Sequence, residues 1–405
     1  MLSLLLLMAA SGKNPVPTPP MGWNSYDCFG YSVTEAQVKE NAQYMLDHLR
    51  QFGWEYVVVD FVWSSPKLKN LDPTPQDEHF EPRLAMDAYG RLIPDPERFP
   101  SSRDGKGFQH LGEWLHRRGL KFGIHLMRGI PRQAVGANTP ILGSDAHAAD
   151  AANQTSACPW NNHMWGLNMA SPAGQAYLDS IFKLYASWEV DLVKVDDLSY
   201  PYSAAEVEGY AKAIEHCGRP MALSLSPGPT PLEDATHVST YANMWRLLGD
   251  LWDNWPQLDH AFDAIAAWNP HRKPGHWPDP DMLPLGQLRV YGPPTGPADT
   301  PSRFTHDEIQ TVMSLWCIAR CPLMFGGDLP RTDAFTLAAI TNRSLLEIDQ
   351  HSSNNRQLAG GTTPVWTADS TNPKVKYVAL FNRTETPAKV SLSTGDLGME
   401  NCRTY

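Results

Sequence analysis

The chain alternates between short strand-like runs and amphipathic helical segments from residue 20 to about residue 350. The strand-like runs cover residues 21–26, 54–61, 121–127, 190–197, 220–226, 243–247, 277–283 and 321–326. Helical periodicity lies between them, for example over residues 34–52, 171–188, 204–216, 258–268 and 306–319. Alternating strands and helices are typical of a parallel sheet built from βα units. Eight such units in about 330 residues predict an α/β fold, the (β/α)8 TIM barrel.

A doubly wound dinucleotide-binding fold is the main alternative for this alternation. That fold would need a G-x-G-x-x-G turn after an early strand, and this chain has none there. For the helix over residues 34–52, Ser32 with Glu35 three residues later predicts an N-terminal capping box.

The two ends of the chain differ from the predicted barrel, which covers residues 15–350. Residues 1–14 contain an apolar run that resembles the central part of a signal peptide but lacks its positively charged start. We therefore expect export, to the periplasm or out of the cell. Residues 356–405 carry strand-like runs at 364–367, 374–382 and 388–392 without helices. They predict an antiparallel β domain, which is expected to be incomplete because so small a sheet is marginal alone.

Composition excludes several function classes. The formal net charge is −11 and no basic run stands out, whereas nucleic-acid binding needs a basic surface. The apolar run at the start is too short to span a bilayer, which takes about 20 residues, so no membrane span is expected. Tryptophan is frequent, at 14 of 405 residues, and aromatic faces suit sugar rings as well as cores. The oligomeric state stays open.

Polar residues gather where the predicted strands end, which is where TIM barrels form their active sites. They are Tyr26, Asp60, His125, Lys194, Asp196, Asp197, Ser226, Arg246, Asp250, Asp279 and Asp281. Carboxylates dominate, and two carboxylates that flank a bond are what glycoside hydrolysis requires. No histidine-rich set is available to hold a catalytic zinc ion. We therefore expect neither a metal nor a cofactor.

Two pairs of charged residues are the best catalytic candidates. Lys194 and Asp196 are two residues apart on one strand and share its inward face. Lys194 either keeps Asp196 ionised for nucleophilic attack or forms a structural ion pair with it. Arg246 and Asp250 are four residues apart, which allows a surface salt bridge if the segment is helical. Asp250 could instead be a proton donor beside a movable arginine.

Four sequence blocks then resemble a known family. PPMGWNS (residues 19–25), KVDD (194–197), MWR (244–246) followed by Asp250, and GHWPDPDML (275–283) occur in this order. Together they resemble glycoside hydrolase family 27, the α-galactosidase and α-N-acetylgalactosaminidase family, over residues 15–350 and into the β domain. The resemblance implies a retaining exo-glycosidase that acts on a glycan or oligosaccharide.

The resemblance also implies roles for individual residues. Asp196 matches the family's nucleophile and Asp250 its general acid/base, and retention requires the two carboxyls about 5–5.5 Å apart. The implied sugar contacts are Tyr26 beside the ring, Asp60 and Lys194 at the outer hydroxyls, and Arg246 and Asp281 near the 2-hydroxyl.

Three positions depart from the galactosidase pattern. Phe61 follows Asp60 where the family usually has a second acid that binds the 6-hydroxyl. This would suit β-L-arabinopyranose, which is α-D-galactose without its hydroxymethyl group, unless a nearby residue supplies the lost contact. Ser226 falls where galactosidases present a large acid to the 2-hydroxyl, although it could equally be a turn hydroxyl. His125 replaces an aromatic residue and is either a substrate contact or a hydrogen-bonded structural residue.

A long insertion follows the third strand and extends to about residue 165. Long loops of barrels usually shape the substrate cleft. Arg128 and Arg132 in this insertion either face an acidic glycan or hold the loop in place.

These observations predict hydrolysis of terminal α-D-galactosyl residues. β-L-Arabinopyranosidase and α-N-acetylgalactosaminidase activities are the enzymatic alternatives. A barrel that binds sugar without catalysis is the alternative from another class, although two acids so placed have no use in binding alone.

Overall fold

The computed structural model describes residues 14–65, 84–290 and 298–399 of the chain. No helix within these ranges is long and apolar enough to cross a membrane. The predicted signal-like segment, residues 1–14, lies outside the described residues except for its last position.

The described α-helices are, in chain order, α1 (Tyr26–Phe29), α2 (Glu35–Tyr44), α3 (Gln109–His116), α4 (Arg132–Ala137), α5 (Ala148–Ala151), α6 (Pro172–Ser187), α7 (Ala204–Cys217), α8 (Ala235–Tyr241), α9 (Trp255–Trp268), α10 (His306–Ala319), α11 (Ala334–Ile340) and α12 (Arg343–His351). The strands are β1 (Met21–Asn24), β2 (Tyr56–Val59), β3 (Lys121–Met127), β4 (Ile130–Pro131), β5 (Ala152–Ala157), β6 (Met164–Leu167), β7 (Leu192–Asp196), β8 (Ala222–Leu225), β9 (Met244–Arg246), β10 (Trp277–Asp279), β11 (Gln287–Leu288), β12 (Thr300–Pro301), β13 (Leu323–Phe325), β14 (Ser353–Ala359), β15 (Val365–Asp369) and β16 (Lys376–Leu380).

Eight of these strands form one parallel sheet in the order β10-β9-β8-β7-β3-β2-β1-β13. The two ends of this order meet just after β10, where Leu283 pairs in parallel with Phe325 of β13. There the Leu283 amide also donates to the Met324 carbonyl at 2.7 Å. The sheet is therefore closed into a barrel, which confirms the predicted fold class. Each predicted strand run contains one of the eight barrel strands.

The start of α2 differs from the prediction. Thr34, not Ser32, is the N-cap, and it forms the capping box with Gln37 instead of Glu35. The Ser32 hydroxyl donates instead to the carbonyl of Phe29 at 2.7 Å, which ends the preceding turn. Both residue pairs fit the same spacing, so the sequence pattern alone could not separate them.

The insertion after β3 has its own small sheet. Its three strands are antiparallel and lie in the order β4-β6-β5. Ile130 pairs with Trp165, so the two ends of the insertion lie side by side next to the barrel. The insertion is therefore an ordered structure above β3.

Strands β14, β15 and β16 form an antiparallel sheet after the barrel. The sequence pattern misses β14, because its residues are largely polar and exposed. Residues 388–392, predicted as a strand, are not in a strand, since they are mostly exposed and present no apolar face to a partner. The sheet packs on the barrel helices, and the Phe381 and Phe262 rings lie 5.1 Å apart. The division between residues 15–350 and 356–405 remains a prediction.

Candidate active site

A pocket of about 390 Å³ opens at the carboxyl ends of the barrel strands. Its lining includes eight residues that the sequence analysis singled out: Tyr26, Asp60, Phe61, Lys194, Asp196, Arg246, Asp250 and Asp281. The parallel barrel brings them together because all of its strands end on the same face. The volume is at the lower end of the range for small-molecule sites, which suits a terminal sugar better than a long chain.

Lys194 is the centre of the polar side of this pocket. Its Nζ lies 3.0 Å from Asp60 Oδ2, which also accepts a 2.6 Å hydrogen bond from Asn24. Burial lowers the pKa of the Lys194 ammonium, but Asp60 and Asp196 more than offset this and raise the pKa above its ordinary value. Lys194 therefore stays protonated throughout the neutral range. Its direct ion pair is with Asp60, just after the end of β2, and not with Asp196.

Asp196 is a shielded carboxylate. Its Oδ2 lies 2.9 Å from Nε2 of His125, whose side chain is only 2% exposed. Burial raises the pKa of Asp196, but Lys194, His125 and a hydrogen bond from Ser226 together hold it below its ordinary value. Asp196 is therefore ionised at neutral pH, which is the state that a carboxylate nucleophile needs.

Arg246 connects the two sides of the pocket. One guanidinium nitrogen lies 3.1 Å from Asp250 Oδ1 and the other 2.8 Å from Asp281 Oδ1. The Asp250 side chain is 55% exposed whereas Arg246 is 2% exposed. The residues between them form bends, not a helix. The contact therefore joins an arginine at the end of β9 to an accessible carboxyl. It is not a salt bridge on the surface of a helix.

Asp281 is held in an uncommon backbone conformation, with φ at +95°. Its Oδ2 accepts a 2.8 Å hydrogen bond from the amide of Leu251, next to Asp250. Burial raises the pKa of Asp281 to about 7, although Arg246 opposes the shift. Asp281 thus ties the segment that carries Asp250 to the end of β10.

Two predicted site residues lie one layer behind the pocket. His125 lines a cavity of about 20 Å³ beneath Phe61. Ser226 lines another cavity of about 20 Å³, and its hydroxyl accepts a 3.2 Å hydrogen bond from Arg246. Ser226 is therefore neither a simple turn hydroxyl nor a direct lining residue.

Asp197, although it follows Asp196 directly, turns away from the pocket. It adopts a positive φ of 66° and its Oδ2 lies 2.8 Å from Arg128. Arg128 therefore holds the loop in place, which is one of the two roles that the sequence allows for it. Arg132 likewise lies over the Trp165 ring, 3.7 Å from its centre.

Sequence reasoning missed several lining residues, among them Asp27, Tyr31, Trp160 and Trp252. Asp27 and Tyr31 follow β1 closely in the sequence. Their position just after a predicted strand is the signal that could have found them. Asp27 is buried, and burial raises its pKa well above the ordinary value. Trp160 comes from the long insertion, whose course no sequence pattern defines.

The arrangement suits hydrolysis of a glycosidic bond. A shielded, ionised carboxylate and an accessible carboxyl line the same pocket, and a pair of such groups is what glycosidases use. Within the described ranges, no group of three or more potential metal ligands occurs.

Comparison with known proteins identifies the family. Residues 166–351 match the family model described as alpha galactosidase A. A β-L-arabinopyranosidase of glycoside hydrolase family 27 from Geobacillus stearothermophilus is 47% identical in its crystal structure, with a TM-score of 0.92 over 96% of this chain and 90% of that one. The chain belongs to glycoside hydrolase family 27.

More distant members carry other activities. An α-galactosidase from Cyamopsis tetragonoloba is 26% identical over 390 residues, or 95% of this chain and 77% of that protein. An α-N-acetylgalactosaminidase from Gallus gallus is 26% identical over 356 residues, or 82% of this chain and 70% of that protein. This family 27 protein is therefore a glycosidase, as its sequence blocks predict, and the sugar that it releases has to be argued from the pocket.

The charge on Lys194 should set the acid limit of activity. In Lys194→Met, the pKa of Asp196 loses its largest downward influence, so the acid limb of the kcat/KM profile should move to higher pH. At neutral pH, kcat/KM should fall about ten- to a hundredfold, which is the cost of losing one charged hydrogen bond of about 1.5–3 kcal/mol. The measurement is a pH–rate profile with an aryl glycoside.

Lys121→Met is the matched control, because Lys121 pairs with Glu55 at the opposite end of the barrel. It should leave the acid limb in place. Thermal unfolding of both variants checks their folding. An unchanged acid limb in a folded Lys194→Met variant would show that Lys194 does not act on the nucleophile.

Proposed function

We propose that this family 27 glycosidase is a retaining exo-enzyme that removes terminal β-L-arabinopyranosyl residues. The observation that carries the substrate is the Phe61 side chain, which lines the pocket directly beside Asp60. The sequence alone favours α-D-galactosides, with this activity as an alternative, whereas the packing around Phe61 supports the arabinopyranoside.

The catalytic cycle has two displacements. A carboxylate oxygen of Asp196 bonds to the anomeric carbon while the glycosidic C–O bond breaks, and the Asp250 carboxyl gives its proton to the leaving oxygen. The Asp250 carboxylate then takes a proton from water, whose oxygen displaces Asp196 from the anomeric carbon. The exposure of Asp250 suits this role, because both the leaving group and the water must reach it.

The polar side of the pocket suits a sugar with the galactose configuration. Asp60 and Lys194 offer a carboxylate and an ammonium to adjacent ring hydroxyls. Arg246 and Asp281 offer a second charged pair near Asp250. Tyr26 supplies an aromatic surface, with the Lys194 ammonium 5.9 Å from its ring centre.

The apolar side of the pocket supports arabinopyranose over galactose as the substrate. Phe61 cannot accept a hydrogen bond from a 6-hydroxyl, and its side chain leaves no space for that hydroxyl. The residue is only 7% exposed. A 6-hydroxymethyl group would therefore lose its hydrogen-bond partner and meet the ring. β-L-Arabinopyranose keeps the remaining hydroxyls and has only hydrogen at that carbon. The 47% identity to a β-L-arabinopyranosidase supports the same substrate.

α-Galactosidase activity is the second candidate, because the Asp60 and Lys194 pair would bind both sugars equally. α-N-Acetylgalactosaminidase activity has less support. The small Ser226 lies behind Arg246, so its size opens no space for an acetamido group beside Arg246.

Initial rates on four aryl glycosides test the substrate: β-L-arabinopyranoside, α-D-galactoside, α-D-N-acetylgalactosaminide and α-D-glucoside. We expect the arabinopyranoside to lead in kcat/KM by at least tenfold, since one extra carbon in a closed pocket changes rates by about 10–200-fold. A lead for the galactoside would make the second candidate correct. Background rates on all four would favour a barrel that binds sugar without catalysis.

The two carboxyl roles give different variant behaviour. Asp196→Asn should lose several orders of magnitude in kcat while it remains folded. Asp250→Ala should still form the glycosyl-enzyme from substrates with good leaving groups, and azide should restore its turnover. Asp145→Asn, at an exposed position of the insertion, should match the wild type. More than a tenth of the wild-type rate in Asp196→Asn, or no azide rescue in Asp250→Ala, would overturn the respective role.

A further inference from the structure

Phe61 does not stand alone in its wall of the pocket. Its ring lies 5.8 Å from Tyr31 and 5.1 Å from His125, both edge to face. It also lies 6.3 Å from Trp160 and 6.3 Å from His163, whose ring is nearly parallel to it. The cavity behind Phe61 measures only about 20 Å³, enough for about one water molecule. The Phe61 ring therefore cannot swing backwards to admit a larger sugar.

Two of these four neighbours come from the insertion after β3. Burial, with the nearby charge of Arg132, lowers the pKa of His163 to about 4. His163 is therefore uncharged in the neutral range and adds no charge to the wall behind Phe61. Trp160 differs from His163 because it also lines the sugar pocket itself.

A buried arginine fixes the insertion to the end of β7, the strand that carries Asp196. Arg128 is 6% exposed and binds three partners: Asp197 through Nε at 2.9 Å, Glu206 through Nη1 at 2.6 Å, and Ser156 through Nη1 at 3.0 Å. Asp197 follows Asp196 directly, so the insertion is held in register with the end of β7. Ser156 lies four residues before Trp160, so this anchor is close to the indole.

Gly129 completes the anchor. It adopts a positive φ of 100°, and a Cβ at this position would lie 1.8 Å from the carbonyl oxygen of Trp165. The two ends of the insertion can approach this closely only with glycine there. Trp160 thus sits on a braced loop instead of a free one.

We propose that Trp160 is a second specificity-determining residue. Together with Phe61, it forms a wall built from two loops. This wall excludes a substituent on C5, the ring carbon that carries the hydroxymethyl group in galactose. The inference rests on the proposed arabinopyranosidase function and extends it. Phe61 comes from the end of β2 and Trp160 from the insertion, and both contact the same volume. Each ring blocks a part of that volume, so removing either ring opens it in part and removing both opens it fully.

A double-mutant cycle tests this inference. Phe61→Ala, Trp160→Ala and the double variant are assayed for kcat/KM on aryl β-L-arabinopyranoside and aryl α-D-galactoside. Trp160→Ala alone should raise the galactoside-to-arabinopyranoside ratio by at least tenfold. The double variant should exceed the product of the single effects, because each remaining ring still blocks the space in a single variant. Trp160→Phe should keep the wild-type ratio, since it keeps an aromatic ring.

Trp165→Ala is the matched control from the same insertion. Trp165 stacks under Arg132, so its loss should leave the ratio unchanged even if the insertion loosens. A Trp160→Ala ratio equal to that of the wild type, or equal losses on both substrates in Trp160→Ala and Trp165→Ala, would overturn the inference. A wild-type enzyme that prefers the galactoside would instead overturn the proposed function, so the two failures are distinguishable.

Discussion

The ammonium group of Lys194 is the charge on which the site depends. It is buried between Asp60 and Asp196, and a buried charge without partners would cost several kcal/mol. Its contact with Asp60 fixes the end of β7 against the end of β2. Its charge lowers the pKa of Asp196, which burial by itself raises, and so favours the ionised carboxylate. One cation thus provides both a sugar-binding pair and a reactive carboxylate.

This arrangement makes the two candidate catalytic acids unequal. Asp196 is enclosed, beside His125 and the Lys194 charge, and stays anionic. Asp250 is more than half exposed and contacts the tip of the Arg246 side chain. A nucleophile needs a constant charge, whereas an acid/base has to exchange protons with the leaving group and water. The difference in burial therefore matches the difference in proposed role.

The polar and apolar sides of the pocket have different structural origins. Barrel strand ends supply the charged groups, whose positions follow from the sheet. Loops supply Tyr31 and Trp160, and loops vary without disturbing the barrel. In the proposed enzyme, the barrel therefore fixes the galactose-like hydroxyl pattern. The insertion, with Phe61, selects the sugar by size.

The sequence predicts the barrel and much of the pocket lining for the same physical reason. Parallel strands end on one face, so polar residues at strand ends such as Asp60 and Arg246 have to converge. Trp160 could not be predicted, because its position depends on the contacts of buried Arg128 with Asp197 and Glu206. These two residues are 69 and 78 positions away from Arg128 in the sequence. Similarly, Thr34 and Ser32 have equivalent spacing for a cap, and the Ser32 hydroxyl instead donates to the carbonyl of Phe29. Local spacing predicts elements, but loop placement follows from contacts between them.

Calorimetric titration of the Asp196→Asn variant with free sugars shows which sugar the pocket fits, since it measures binding without turnover. The sugars are L-arabinose, D-fucose and D-galactose, which carry hydrogen, methyl and hydroxymethyl at the same ring carbon. We expect L-arabinose to bind at least tenfold more tightly than both others, because one added carbon meets a closed wall. If D-fucose binds as tightly as L-arabinose, the wall does not exclude by size. If D-galactose binds most tightly, the proposed substrate is wrong.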